Sequence, residues 1–168
     1  MALNTEIITD VQVASLAIND VAFDEAYFTN YILTTQRKYI KPVLGEKFYN
    51  EILTEIAASS ISVDNAVLLD SFIKSMLAHY VVYVCYSKVH TQITNQGSMS
   101  NYTEFSNQGK SGDYAQSRDF YISLADDIKV TMIDYILEVK KADSTKYPLF
   151  KDCGDIPQVN KRGIIFYD

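Results

Sequence analysis

The segment over residues 17–45, AINDVAFDEAYFTNYILTTQRKYIKPVLG, restricts this chain more than any other. Phe28, Ile32, Thr35 and Tyr39 recur four, three and four residues apart, with Tyr31 and Ile40 alongside. That is the period of one helical face, not the alternation of a strand. Asp20 or Asp24 is placed to cap the start of this helix. Pro42 has no amide hydrogen and restricts Lys41, which predicts a helix end near Ile40. Gly45 then supplies the backbone freedom for a turn into the next helix.

The rest of the chain repeats this grammar. Thr9 and Gln12 have the spacing of a capping box for a short first helix that ends near Ala17. A helix over 46–58 carries Phe48, Ile52 and Ile56 as its stripe, widened by Tyr49 and Leu53. Asp64 caps a long helix over 65–91, with Leu69, Ile73, Met76, Tyr80 and Val84 on one face. Leu68, Phe72, Leu77, Val81 and Val82 widen that face, so this helix is expected to be packed on more than one side. The stretch 80–86 would suit a strand by propensity alone, but the surrounding period is helical. A last long helix over 114–141 shows Tyr121, Leu124, Ile128, Met132, Tyr135 and Val139 at three- and four-residue spacing. Lys140 and Lys141 fall where positive charge suits the helix dipole. The expected fold is all-α, a helical bundle of four to five helices.

Two stretches break the pattern. Residues 94–112, TNQGSMSNYTEFSNQGKSG, are polar, hold three glycines and have no apolar period. So long a break inside a compact domain is either a surface hairpin that reaches a neighbour or a linker without a role. After Tyr147-Pro148 the chain changes again. Residues 1–150 form the expected helical domain and 151–168 an extended tail that ends in Gly-Ile-Ile-Phe-Tyr-Asp. An apolar end docks back on its own subunit as a strand or adds to a neighbouring subunit, and the sequence leaves both open.

Composition bounds the function. The chain has 168 residues, 48% hydrophobic and 21% charged, enough for one domain with a core. It has 13 Tyr, 8 Phe and no Trp, and Tyr suits half-buried positions and protein contacts alike. The net charge is -6, and no basic run exceeds Arg37-Lys38, Lys140-Lys141 or Lys161-Arg162. Adhesion to a phosphate backbone needs a denser positive face. The first residues lack a basic region followed by an apolar core, so no secretory signal is read there. The run 76–85 contains His79 and is too short to span a bilayer. No membrane partner is expected.

No catalytic set emerges. His79, Cys85 and His90 are six and five residues apart, which fits neither an i,i+4 ligand pair nor a short cysteine clamp. Cys85, inside an apolar run, reads as a core filler, and nothing asks for a disulfide with Cys153. Gly109-Lys110-Ser111 copies the end of a phosphate-binding loop, but Glu104 stands where that loop needs its first glycine. Neither histidine accompanies a Gly-x-Ser-x-Gly turn. Asp126-Asp127 and the pair Glu51 and Glu55 read as solvated acidic surface. The expectation is a chain that is not an enzyme and uses no cofactor or metal.

The order of signals resembles the helical head–tail connector, or adaptor, proteins of tailed bacteriophages, above all those of phages of Bacteroidetes and the crAss-like group. The matching residues are Ile8-Thr9-Asp10, the stretch 17–28, and the block from Thr35-Gln36-Arg37-Lys38-Tyr39-Ile40 through Lys41-Pro42-Val43-Leu44-Gly45 to Glu46-Lys47-Phe48-Tyr49. The resemblance implies an all-helical virion protein assembled as a homo-oligomer, usually a dodecameric ring, between the portal and the tail. DNA would pass through the channel without specific binding, and a net negative charge suits such a wall. It implies no catalytic residues, and a location at the head–tail junction after assembly in the host cytoplasm. The long polar break departs from the pattern. Tyr102 and Phe105 in that break, and Ile164, Ile165, Phe166 and Tyr167 in the tail, are the expected contacts with a neighbouring subunit or the portal. The competing readings are a soluble helical interaction adaptor unrelated to virions, and a helical enzyme using scattered carboxylates such as Asp70, Asp127 and Glu138.

Overall fold

A computed structural model describes the backbone of residues 4–17, 26–94, 97–100 and 111–150. Among these residues five helices form the fold. They are α1 (Asp10–Ala17), α2 (Ala26–Thr35, continued by Gln36–Ile40 and Lys41–Leu44), α3 (Glu46–Ala57), α4 (Val63–Leu68, continued by Leu69–Ile73 and Lys74–His90) and α5 (Ser111–Ala142). The fold is all-α. A short hairpin, β1 (Thr91–Thr94) with β2 (Gly97–Ser100), opens the polar break; the strands are antiparallel, with Thr91 opposite Ser100 and Thr94 opposite Gly97.

The start of α1 is the capping box. The Gln12 amide donates to Thr9 Oγ1 at 3.2 Å, and the Thr9 amide donates to Gln12 Oε1 at 3.0 Å. Two otherwise orphaned donors are satisfied reciprocally. Asp20 and Asp24, expected to cap α2, lie outside the described residues.

Pro42 does not end α2. The helix widens to a π turn over Gln36–Ile40, where the Lys41 amide donates to Gln36 O, and then resumes as α-helix over Lys41–Leu44. The wide turn shifts the ladder by one residue and places Pro42 in the first turn of the resumed helix. There its missing amide hydrogen costs no bond and its fixed φ is already helical. The helix ends instead at Gly45, with φ 78 and ψ 155. Gly45 donates to Lys41 O at 3.0 Å and accepts from the Tyr49 amide at 3.0 Å, so one residue closes α2 and opens α3.

The start of α4 also differs from expectation. Ser62, not Asp64, is the cap, and its hydroxyl accepts from the Asn65 amide at 3.4 Å. Asp64 sits inside the first turn and turns its carboxylate to Lys146. A second π turn, Leu69–Ile73, interrupts α4.

The core wraps α4. Its Lys74–His90 portion packs against α1, α2 and α5, and its π turn also meets α5. Met76, Leu77, Ala78, Tyr80, Val81, Val82 and Cys85 are all buried, most of the helix circumference. Phe28 and Ile32 from α2, Phe48, Ile52 and Leu53 from α3, and Ala125, Met132 and Ile136 from α5 complete the core. The stretch Val63–Cys85 is long and apolar enough to cross a bilayer by length and composition, longer than the run 76–85 read from the sequence, and 56% of its apolar 18-residue window is buried inside the fold.

Past α5, residues 143–150 return onto α3 and α4. Tyr147 and Phe150 are buried, with ring centroids 6.0 and 6.4 Å from that of Phe48.

Candidate interaction surfaces

The most developed polar arrangement lies at the corner between α2 and α3. Ile32, Gln36 and Ile40 follow one another at helical spacing on the buried side of α2, and Gln36 is fully buried. A buried amide needs every donor and acceptor matched. Gln36 Oε1 accepts from the Ile7 amide at 2.9 Å, while Nε2 donates to Thr5 O at 3.0 Å and to Tyr49 Oη at 2.8 Å. Arg37 reaches Asn4 Oδ1 at 3.1 Å from the next position. One side chain in the π turn therefore ties the N-terminal segment, α2 and α3 together. Immediately before it, Thr35 Oγ1 is buried and has no hydrogen-bond partner among the described residues.

A second network joins α4 to α5. The Tyr39 and Tyr80 rings stack with centroids 4.3 Å apart, and Lys38 lies 5.0 Å from the Tyr39 centroid. The Tyr80 hydroxyl donates to Asp126 Oδ1 at 2.6 Å, and Lys129 donates to the same oxygen. Burial, followed by the neighbouring Asp126, pushes the Tyr80 hydroxyl far above its usual range. Asp126, read from the sequence as solvated acidic surface, is half-buried and bonded to Tyr80 and Lys129; Asp127 beside it is exposed. This network ties α4 to α5.

A third cluster forms where residues 143–150 meet α4. Lys146 Nζ donates to both Asp64 oxygens at 2.8 and 2.6 Å, and the Tyr147 hydroxyl donates to Asp64 O at 3.0 Å. The bond from Lys146 to Asp64 is the largest cause of a raised Lys146 pKa. Glu55 of α3 holds the same corner. Its Oε2 accepts from Asn65 Nδ2 at 2.8 Å and from the Ser62 amide at 3.2 Å. Glu55 is therefore a bridge between α3 and α4 rather than plain acidic surface.

The residues expected to bear contacts, Tyr102, Phe105, Ile164, Ile165, Phe166 and Tyr167, lie outside the described residues, as does Cys153. His79 Nδ1 is 2.7 Å from Ser75 O, a turn back along its own helix, and His90 ends α4. Among the described residues no group of three or more His, Cys, Asp or Glu is placed to hold a metal. The Cys85 thiol is buried and held protonated by desolvation, with its pKa pushed up to about 12.

The sequence reading missed the buried role of Gln36. A polar residue four residues from both Ile32 and Ile40 on a buried face was the signal for it.

Residues 40–158 match the model of a family described as Family of unknown function (DUF6712). The chain belongs to this family. The matched span takes in the end of α2, the Gly45 corner, α3, α4, the hairpin and α5, so DUF6712 membership covers most of the helical body. No curated protein and no solved structure matches the chain.

Proposed function

We propose that this chain is a structural virion protein, a ring subunit that joins the portal to the tail of a bacteriophage and continues the DNA channel. The supporting observation is that the block 35–49, which carries the connector resemblance, forms one interlocked unit. Gln36 and Tyr49 are joined by a hydrogen bond, and Pro42 and Gly45 shape the path between them. A block of this kind specifies a rigid corner between helices, as a subunit that meets copies of itself head to tail requires. The net charge of -6 suits a wall past which DNA slides. In this reading the chain is not an enzyme. It works as a homo-oligomer, with a dodecameric ring expected, against the portal on one side and a tail or second connector protein on the other. Its place is the head–tail junction of the virion, reached from the host cytoplasm.

The test is solution mass by light scattering after size exclusion, with and without a candidate portal protein. A large closed oligomer, or a complex formed only with the portal, is the expected result. A monomer or dimer indifferent to the portal overturns the reading and favours a soluble helical adaptor.

A further inference from the structure

Residues 4–7 are joined to the helical body by side chains rather than by a backbone ladder. The Ile7 amide donates to Gln36 Oε1 at 2.9 Å, Gln36 Nε2 donates to Thr5 O at 3.0 Å, and Arg37 Nη2 donates to Asn4 Oδ1 at 3.1 Å. Among the described residues, no backbone–backbone hydrogen bond joins 4–8 to the helices. The Ile7 side chain is buried and adds one apolar anchor. Two neighbouring side chains of one π turn thus hold the segment in place.

The residues that follow belong to α1 and need nothing from this segment. Thr9 and Gln12 satisfy each other's amides, and the Val13 amide donates to Thr9 O at 3.0 Å. Ile8 and Val13 occupy the two positions of a hydrophobic staple, just before the cap and four residues after it, and both are buried. α1 has its own tether to α2, since Thr29 Oγ1 donates to Asp10 Oδ2 at 3.0 Å, and it packs on α4. The backbone bends at Ile7 and Ile8. Lifting 4–7 therefore breaks the bonds to Gln36 and Arg37 and unseats Ile7. It leaves the cap, the staple and the tether of α1 intact. A segment with one buried apolar anchor and no ladder opens at a lower free energy than the helices around it.

We infer that residues 4–7 are a strap that opens as a unit while the helices stay folded, with Gln36 as its latch and the bend at Ile7 and Ile8 as its hinge. Opening frees one acceptor and one donor of the Gln36 amide at the corner between α2 and α3, while Tyr49 Oη keeps its bond to Nε2. The freed pair matches a peptide backbone, which offers an amide and a carbonyl two residues apart, as Ile7 and Thr5 do when the strap is closed. The strap thus gates the block 35–49 within a single subunit, and the inference does not rest on the proposed ring.

The test is amide hydrogen exchange in the unmodified full chain, followed by NMR at rising urea below the unfolding midpoint. The Ile7 amide is expected to be protected, yet to exchange about tenfold or more faster than the Val13 amide of α1 and about 100-fold faster than the Val81 amide in the core of α4. Its rate should stay flat with urea, because opening four residues exposes little surface, while the Val81 rate climbs steeply. An Ile7 amide that tracks Val13 or Val81 in rate and urea slope overturns the inference, since the segment then opens only with a helix or with the whole fold. An Ile7 amide without protection overturns it too, since the strap is then not seated. Ile7→Ser removes the anchor, and in that variant Val13 and Val81 should keep their protection to within about tenfold. Loss of Val13 protection there makes the segment part of α1 and also overturns the inference.

Discussion

Gln36 Nε2 donates to Tyr49 Oη at 2.8 Å, across the wide turn and the Gly45 corner that separate α2 from α3. The same amide holds Thr5 and Ile7, so both ends of the α2–α3 unit and the N-terminal segment depend on one side chain. Gln36→Leu strands the Ile7 amide and the Thr5 carbonyl in the interior, a loss of about 3 kcal/mol. Tyr49→Phe removes one partner and costs about 1 kcal/mol. Because both act on one network, the double variant should lose less than the two singles together. Urea unfolding of the four proteins measures this, and strict additivity would show that the contact does not couple the two helices.

Thr35 offers the opposite case. Its hydroxyl is buried with no partner among the described residues, so desolvation is not repaid there. Thr35→Val keeps the shape and removes the polar atom, and is expected to stabilise the fold by about 1 kcal/mol. A lower urea midpoint for this variant would mean that the hydroxyl has a partner after all.

Gly45 isolates backbone strain from crowding. A Cβ at this position meets nothing within 4 Å, yet φ is 78 and ψ 155, a conformation nearly closed to other residues. Gly45→Ala should therefore cost about 1–3 kcal/mol with no loss of core packing. Equal stability of the two proteins in thermal unfolding would refute that account of the corner.

Alkaline pH should weaken the fold in steps. The Cys85 thiol is moved by burial from an ordinary 9.0 to about 12. Burial first, then Asp126 for Tyr80 and Tyr135 for Tyr147, raises those two hydroxyls from 10.0. A group whose folded pKa is raised stabilises fully below its unfolded value, and that share is lost as the pH climbs toward the folded one. The urea midpoint should thus begin to fall near pH 9 and fall faster above pH 10. Cys85→Ala should remove the first step and leave the second. An unchanged onset in that variant would place the first step on another group.

Much of the fold was written locally, and the departures share a cause. The reciprocal bonds of Thr9 and Gln12, the Gly45 corner and the apolar faces of α3 and α4 rest on residues a few positions apart, where spacing is a reliable guide. Pro42 misled because its effect depends on the register of the ladder around it, and the π turn changed that register. Asp64 looked like a cap until Lys146, distant in sequence, claimed its carboxylate, which left Ser62 to the task. Asp126 resembled surface until Tyr80 was brought beside it. Ala125 escaped the apolar pattern of α5 because a small residue gives little signal, although it is fully buried against its neighbours. The expected contact residues, Tyr102, Phe105 and Ile164 to Tyr167, lie outside the described residues.

The two π turns, Gln36–Ile40 and Leu69–Ile73, carry a further consequence. Each accommodates one residue more than an unbroken α-helical ladder would take, and one α-helical residue corresponds to about 100° of rotation around the axis. Everything downstream is therefore turned by more than a quarter revolution relative to what precedes it. In α4 the π turn itself meets α5, while the later turns address α1, α2 and α5 together. Removing one residue from Leu69–Ile73 would leave composition and helix content almost untouched, yet aim the apolar side chains before the turn away from the core. The fold thus depends on a one-residue count inside two helices as much as on the chemical character of any side chain within them.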